Sequence, residues 1–197
     1  MGMSTKVCLL VVGLLVTCAA VSRTAGAQQP QTFGIGRAAN PAEIAATDID
    51  VRPDGEGLPS GQGTATEGET IYAARCAACH GKTGKEGPSD VLVGREPRDG
   101  AAFARDPLAR RTIGNYWPYA TTLFDYIRRA MPPSAPGSLK ADEIYGVVAY
   151  LLVLNEIIPR DTVMDAKSLP KVVMPARDRF VPDPRGGPDS VKVPARR

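Results

Sequence analysis

The side chains best suited to chemistry lie in one short stretch, R-C-A-A-C-H-G. Cys76 and Cys79 are three positions apart, and His80, directly after the second thiol, is the only histidine among 197 residues. Two thiols one helical turn apart can each add to one vinyl group of a haem, and the adjacent imidazole can then bind the iron. The C-x-x-C-H spacing therefore predicts one covalently attached haem c, with His80 as an axial ligand of the iron.

The same residue types also occur in other kinds of site. A redox-active disulfide of the thioredoxin type needs a strand–helix–strand setting, and no such pattern surrounds the motif. A structural zinc site needs four Cys or His ligands. Only three such residues remain if the N-terminal segment with Cys8 and Cys18 is removed. Chance occurrence of a short pattern is the last alternative, and the sequence as a whole favours haem.

The chain has no other histidine, so a second axial histidine is excluded, and methionine is the usual alternative. Met131 follows a helical segment and precedes Pro132 and Pro133, which would hold an extended loop across the distal face of the haem. We therefore predict Met131 as the sixth ligand, with Met164 and Met174 as the alternatives. Met/His ligation raises the reduction potential. Because it also fills both axial positions, this pair predicts transfer of single electrons without bond chemistry.

An aromatic cluster, N-Y-W-P-Y at residues 115–119, contains the only tryptophan of the chain. The Trp117 N–H and the Tyr119 O–H are suited to donate hydrogen bonds to haem propionates while the two rings pack against the haem edge. Ordinary core packing accounts for the same residues equally well. Trp117 and Tyr119 are therefore candidate haem-packing residues.

The N-terminus has the features of an export signal. Lys6 precedes an apolar run at residues 7–21, and A-G-A at residues 25–27 has the form of a signal-peptidase site. We expect a signal peptide at residues 1–27 that is cleaved after Ala27, and hence a periplasmic protein. The apolar run is shorter than the roughly twenty residues of a spanning helix, so we expect no stable membrane span. An uncleaved N-terminal anchor is the alternative.

The charge balance of the chain argues against nucleic acid as a partner. Of the 24 basic residues, Lys6 and Arg23 leave with the predicted signal peptide, so the net charge falls from +3 to roughly neutral. A nucleic-acid-binding protein needs a basic surplus or a basic stripe. Electrostatic recognition in this chain must therefore come from local patches.

Composition divides the remaining chain into three segments. Residues 28–66 form a Gly/Pro-rich N-terminal arm, residues 67–157 carry helical patterns, and residues 158–197 form a Pro-rich C-terminal arm. No internal repeat and no period-2 strand pattern of useful length occurs. The middle segment is therefore predicted to be an all-α domain with a thin core, which a bound haem would help to fill.

Three helices are predicted in the middle segment. The first begins at Thr66, whose spacing to Glu69 is that of a capping box, and runs into the haem motif. The second begins near Thr122, whose spacing to Asp125 repeats this device, and stops before the paired prolines. The third follows Ser138, because apolar residues recur at i, i+3, i+4, i+7 and i+8 over residues 144–152.

These motifs together resemble a known family. Residues 67–155 resemble the monohaem class I cytochromes c, with an N-terminal helix that carries C-x-x-C-H, a methionine loop and a crossing C-terminal helix. Longer stretches resemble the cytochrome subunit of bacterial sulfite or sulfane dehydrogenases of the Sox type, the SoxD group. These stretches are TFGIGRAANPAEI (32–44), DIDVRPDGEGLP (48–59), YWPYATTLFDYIRRAMP (116–132) and SLPKVVMPARD (168–178). The resemblance implies a class I cytochrome c fold with long irregular N- and C-terminal arms.

The resemblance also implies a function and partners. In such systems a molybdenum-cofactor subunit oxidises the sulfur compound, and the cytochrome accepts the electrons one at a time. A downstream cytochrome or oxidase then takes these electrons toward the respiratory chain. The resemblance implies that Cys76, Cys79, His80 and Met131 are the haem residues of this chain.

The arms and two departures from the family pattern bear on the partner. Thr47 stands where tryptophan is expected, and Arg95 stands where glycine is common. Neither position is a haem residue.

Gly/Pro-rich segments bury little by themselves but can wrap a partner. We therefore expect residues 28–66 and 158–197 to lie across the molybdenum subunit, and flexible termini are the alternative.

Two other functions compete with the subunit interpretation. One is a free soluble electron carrier that delivers electrons to a terminal oxidase, which needs only a small and weak contact around the haem edge. The other is a haem-based gas sensor or an enzyme with an open iron site, which needs Met131 to be absent from the iron or displaceable.

Overall fold

The computed structural model describes residues 33–98, 102–106 and 108–180. Residues 41–180 of this part belong to one compact unit, and residues 33–40 belong to another. The helices and strands, in chain order, are α1 (Pro41–Thr47), β1 (Gln62–Thr64), α2 (Ala65–Arg75), α3 (Ala77–His80), α4 (Ala102–Arg105), α5 (Ala120–Ala130), α6 (Ala141–Leu154) and β2 (Val163–Asp165). Two short 3₁₀ helices follow, Leu169–Lys171 and Arg177–Arg179. The predicted all-α class is confirmed, with a very small sheet added to it.

Helices α2 and α6 cross in close contact, and glycine makes this contact possible. A Cβ atom on Gly68 would collide with the carbonyl oxygen of Gly146, so the two backbones approach as closely as their atoms allow. One turn further along α2, the ring of Tyr72 packs against Tyr150 of α6, with centroids 5.3 Å apart. The crossing therefore fixes the helix that leads into the haem motif against the last helix of the domain.

The small sheet joins segments from the two ends of the domain. Strands β1 and β2 are antiparallel, with Gly63 opposite Met164. Three residues per strand are too few to show an alternating pattern, so the sequence did not reveal them. The Met164 side chain is 2% exposed and belongs to the main hydrophobic core. The sheet therefore ties the C-terminal segment to the start of α2.

The first helix boundary differs from the prediction. Helix α2 begins at Ala65, and Thr64 caps it: the Thr64 hydroxyl oxygen accepts from the Glu67 backbone N–H at 3.3 Å, and the Thr64 N–H donates to Glu67 Oε2 at 2.8 Å. The prediction of Thr66 as the cap was wrong, because Thr64 and Glu67 have the same T-x-x-E spacing two residues earlier. These hydrogen bonds from Thr64 also lower the pKa of the Glu67 carboxyl.

The second helix boundary differs as well. Helix α5 begins at Ala120, after Tyr119, and no side chain caps it. Asp125, predicted as part of a cap for this helix, instead accepts a hydrogen bond from the backbone N–H of Val51 at 3.2 Å. Asp125 also accepts from Arg129 Nη2 at 3.0 Å. A contact with a distant segment has therefore taken the place of the local one.

The described parts of both proline-rich segments contact the helical core. The hydroxyl of Tyr145 in α6 donates to the Pro59 carbonyl at 2.8 Å. Leu169 and Met174 from the C-terminal segment are buried in the same core cluster as the helices. The division of the chain at residues 66 and 157 stays a prediction, as does the wrapping of a partner.

The predicted signal peptide, residues 1–27, lies outside the described residues. None of the helices in the described ranges combines the length and the apolar character that a membrane span requires.

Candidate haem site

The C-x-x-C-H motif forms one helical turn at the end of α2. The backbone N–H of Cys76 donates to the Tyr72 carbonyl, which completes α2. The N–H groups of Cys79 and His80 both donate to the Cys76 carbonyl, at 3.1 and 3.0 Å. This turn places the two cysteines at i and i+3 of a helical segment, the arrangement that attachment to two vinyl groups requires.

The two thiols are free and differ in their surroundings. Cys76 is partly buried against the hydrophobic core, and Cys79 is exposed. Burial raises the pKa of the Cys76 thiol to about 11, partly offset by the nearby Arg75. Cys76 is therefore a neutral thiol near pH 7 in this fold, on the core side of the motif.

A backbone carbonyl orients the imidazole of His80. The Nδ1 atom lies 2.8 Å from the Asp90 carbonyl oxygen. A carbonyl oxygen can only accept, so Nδ1 carries the hydrogen and Nε2 keeps its lone pair. Metal-binding histidines usually have this second hydrogen bond, which fixes the tautomer and makes the imidazole a stronger donor to the metal. The geometry therefore suits His80 to bind iron through Nε2.

The segment that supplies this carbonyl, residues 81–94, is called the proximal loop below. The hydroxyl of Tyr72 donates to the Gly81 carbonyl at 2.9 Å, where the loop leaves His80. The backbone N–H of Leu92 donates to the Gly84 carbonyl at 2.8 Å, closing the loop on itself. Burial raises the pKa of Tyr72 above its usual range, so its hydroxyl keeps its proton and donates. Sequence reasoning did not identify the Asp90 carbonyl as a partner of His80.

Met131 lies directly after α5 in an extended backbone conformation. Its N–H donates to the Ile127 carbonyl at 3.1 Å, and its partly buried side chain packs against the hydrophobic core. The side chains of Met164 and Met174 are each 2% exposed and lie within the core itself. Of the described methionines, Met131 is thus the one whose side chain is only partly buried, which favours it as the sixth ligand.

The two candidate haem-packing aromatic residues have different neighbours. Trp117 meets the ring of Tyr126 edge-on, with centroids 5.8 Å apart, and is partly buried against the core. Tyr119 lies beneath the guanidinium of Arg177, 4.4 Å from the ring centroid. The structure therefore places Tyr119 against the C-terminal segment and Trp117 beside α5. A role for either in holding propionates stays a prediction.

Asn115, from the same aromatic cluster, has a clear structural role. It is fully buried, and its Nδ2 donates to the carbonyls of Glu96 and Arg110 at 2.6 and 3.0 Å. Its Oδ1 accepts from the Thr112 N–H at 2.8 Å. A buried amide with all these partners fixes the loop that leads to Trp117.

The donor set fits a c-type haem. Cys76 and Cys79 are unpaired thiols one turn apart, the adjacent His80 has a free Nε2, and Met131 offers a thioether on a separate segment. These are the side chains that link a haem covalently and complete His/Met ligation of its iron. On fold and site together, the molecule is an electron-transfer protein of the c-type cytochrome class.

Comparisons with known proteins agree with this class. Residues 63–151 match the protein family described as "Cytochrome C oxidase, cbb3-type, subunit III". The chain is also similar to a chain in "Crystal Structure of the Sulfane Dehydrogenase SoxCD from Paracoccus pantotrophus". The two are 38% identical with a TM-score of 0.66, and the match covers 78% of this chain and 74% of that one. No curated protein sequence matches significantly. The chain belongs to the class I cytochrome c family.

Proposed function

We propose that this chain is a periplasmic cytochrome that accepts single electrons from a molybdenum-dependent sulfite or sulfane dehydrogenase subunit and passes them to the respiratory chain. The observation that carries the proposal is the similarity to a chain of the sulfane dehydrogenase SoxCD, at 38% identity over most of both chains. The match covers 78% of this chain, which is more than the helical domain at residues 67–157 alone contains.

The side chains at the site account for the electron-transfer part of the proposal. A bound haem c would supply a one-electron iron couple. Cys76 and Cys79 would retain it covalently, which prevents its loss in an open compartment. His80, oriented by the Asp90 carbonyl, and Met131 would hold both axial positions, so oxygen and peroxide are excluded from the iron. The chain itself would thus retain the haem, orient its axial histidine and exclude oxygen and peroxide from the iron.

The N-terminal arm supports a partner of substantial contact area. Phe33 and Ile35 are 81% and 91% exposed, and Ile44 of α1 is more than half exposed. Large apolar side chains grouped on one short segment are typical of a protein–protein contact. We therefore assign residues 28–66 and 158–197 to the contact with the molybdenum subunit. Limited proteolysis with and without that subunit tests the assignment, and equal cleavage of both arms in the two samples would contradict it.

Export supports the proposal from the sequence alone, through the signal-peptide pattern at residues 1–27. The intact mass of the mature protein, expressed with a cytochrome c maturation system, tests cleavage after Ala27. We expect a mass that corresponds to residues 28–197 plus one haem.

One experiment separates the subunit proposal from the free-carrier alternative. A molybdenum-dependent dehydrogenase subunit encoded by a gene next to that of this chain is purified and mixed with the oxidised cytochrome. Sulfite or a protein-bound sulfane sulfur is then added. We expect haem reduction at a rate that saturates with cytochrome concentration, and co-elution of the two proteins in gel filtration. A free carrier would not co-elute with the molybdenum subunit, because its contact with a partner is small and weak.

A further inference from the structure

A buried asparagine lies where the last helix meets the proximal loop. Asn155 follows α6 directly and is 1% exposed. Its Nδ2 donates to the Leu151 carbonyl at 2.9 Å and to the Leu92 carbonyl at 3.3 Å, and its Oδ1 accepts from the Gly94 N–H at 3.0 Å. A buried amide is costly unless its polar atoms are paired. Here the partners come from two segments far apart in sequence.

The space around this amide permits little movement. A Cβ atom on Gly114 would lie 2.6 Å from Asn155 Oδ1 and 2.5 Å from the Gly94 carbonyl oxygen. Arg95 donates from Nη1 to the carbonyls of Asn155 and Glu156 at 3.3 and 3.0 Å. The end of α6 and the end of the proximal loop therefore each donate hydrogen bonds to the other.

The same loop carries the carbonyl that orients the axial histidine. Asp90, whose carbonyl accepts from His80 Nδ1, lies two residues before Leu92 and four before Gly94. Two residues of extended chain span at most about 7 Å, so a shift at Leu92 is transmitted to Asp90 with little slack. The Ile113 N–H also donates to the Leu92 carbonyl, at 3.1 Å.

We propose that Asn155 is a positioning residue for the axial histidine, acting through the proximal loop on the His80–Asp90 hydrogen bond. The inference rests on the proposed binding of haem iron by His80. A hydrogen bond from Nδ1 to a carbonyl makes the imidazole a stronger donor, which favours ferric iron. Release of the loop weakens that bond, so it shifts the iron toward the ferrous state and raises the reduction potential.

The single histidine makes the test direct. Holoprotein labelled with [¹⁵N]histidine has one imidazole, whose Nδ1–H signal in the diamagnetic ferrous form reports the bond to Asp90. In Asn155→Leu, which removes all three side-chain hydrogen bonds, we expect Nδ1–H exchange with solvent to be at least tenfold faster. We also expect the ferrous-to-ferric ratio at fixed potential to rise about threefold, which is ~30 mV for a one-electron couple.

A second, milder variant tests the same role if Asn155→Leu does not fold. Asn155→Ser leaves a hydroxyl within reach of its own helix but is too short to reach Leu92 or Gly94. It should give the same direction of change with a smaller loss of stability.

Two controls separate positioning from stability. Tyr145→Phe removes a buried hydrogen bond from the same helix, to Pro59, at the end remote from the proximal loop. Thr121→Val replaces a buried hydroxyl that has no partner among the described residues. Both should keep the wild-type exchange rate and potential, even where Tyr145→Phe lowers the melting temperature.

The outcomes are distinct. Unchanged exchange and potential in both Asn155 variants, with His80 still bound to iron, would overturn the positioning role and leave the proposed function intact. An equal shift in Tyr145→Phe would also overturn it, because the effect would then follow stability alone. An imidazole with no iron-bound nitrogen in the unsubstituted protein would overturn the proposed function and this inference together.

Discussion

The two axial sides of the haem site are held in different ways. On the proximal side, the buried side chains of Tyr72 and Asn155 form hydrogen bonds with the two ends of the loop whose carbonyl orients His80. On the predicted distal side, Met131 lies at the end of α5, and the last turn of that helix is joined to the N-terminal arm partly through an exposed ion pair. Hydrogen bonds of buried side chains are costly to break, whereas exposed ion pairs contribute little. The proximal ligand should therefore be rigid and the distal ligand easier to displace.

The distal contacts join residues far apart in sequence. Arg129 Nη2 donates to Asp50 Oδ1 at 2.6 Å, and Arg128 Nη1 donates to the Ile49 carbonyl at 3.3 Å. The hydrogen bond to Asp125 is the main cause that raises the pKa of the Arg129 guanidinium. Because the arm is the proposed partner contact, we expect partner binding to act on the side of the predicted Met131 ligand.

The largest effect is expected from the proximal ligand itself. His80→Ala removes the only imidazole, so no other side chain of its kind can replace it. We expect loss of the low-spin haem spectrum and poor accumulation of holoprotein, measured by visible absorption and by haem staining of denaturing gels. Thr121→Val, expressed in parallel, should give wild-type yield. A wild-type spectrum in His80→Ala would contradict the assignment.

A smaller but specific effect is expected at the distal ligand. Met131→Leu keeps the side-chain volume and should retain the haem, but it should abolish the methionine-to-iron charge-transfer band of the oxidised protein. The potential should fall on the order of 0.1 V, because the thioether no longer favours ferrous iron. Redox titration with optical detection measures both changes.

The matched control for that variant is Met174→Leu, a core substitution of the same kind. It should keep the charge-transfer band and lower the unfolding free energy by less than about 1.5 kcal/mol. Loss of the band in Met174→Leu, with its retention in Met131→Leu, would exchange the roles of the two methionines.

The proximal scaffold should show a moderate effect on stability. Tyr72→Phe removes the donor to the Gly81 carbonyl while keeping the ring that packs on Tyr150. We expect a loss of about 1 kcal/mol in unfolding free energy, measured by denaturant titration of the holoprotein. Tyr126→Phe, on an exposed side chain, should change stability by much less. Equal losses in both variants would argue against a special role for the Tyr72 hydroxyl.

The smallest effect is expected from the distal surface pair. Asp50→Ala removes the ion pair with Arg129, and we expect the melting temperature to fall by only about 1–2 °C. The charge-transfer band should be lost at a lower denaturant concentration than in the wild type, because α5 is held less firmly. Glu56→Ala, which breaks the pair with Arg52 within the arm, is the control. It should leave the denaturant concentration at which the band is lost unchanged.

Sequence reasoning succeeded where side chains carry the signal in a local pattern. The haem motif, the helical class and the apolar helix α6 were each predicted from residues that lie close together in the sequence. It failed where the signal is a backbone atom or a distant contact. The Asp90 carbonyl and the amide of Asn155 belong to no motif, and Asp125 is paired with Val51 from the arm instead of capping its own helix.

The same limit applied to the C-terminal segment. Its prolines suggested an arm without a core of its own, yet Leu169 and Met174 are buried against the helices. Isolated apolar residues in an irregular segment have no periodicity from which burial can be predicted. Because Met164 and Met174 are both buried in the core, Met131 is the favoured candidate for the sixth ligand.

The account depends on an iron whose two axial positions are both filled by this chain, and carbon monoxide tests this directly. The gas is added to the dithionite-reduced holoprotein near neutral pH while the Soret band is recorded. We predict an unchanged spectrum, because His80 and Met131 leave no vacant position. An immediate shift of the Soret band at low carbon monoxide concentration would show an open iron site, and it would contradict a role in electron transfer alone.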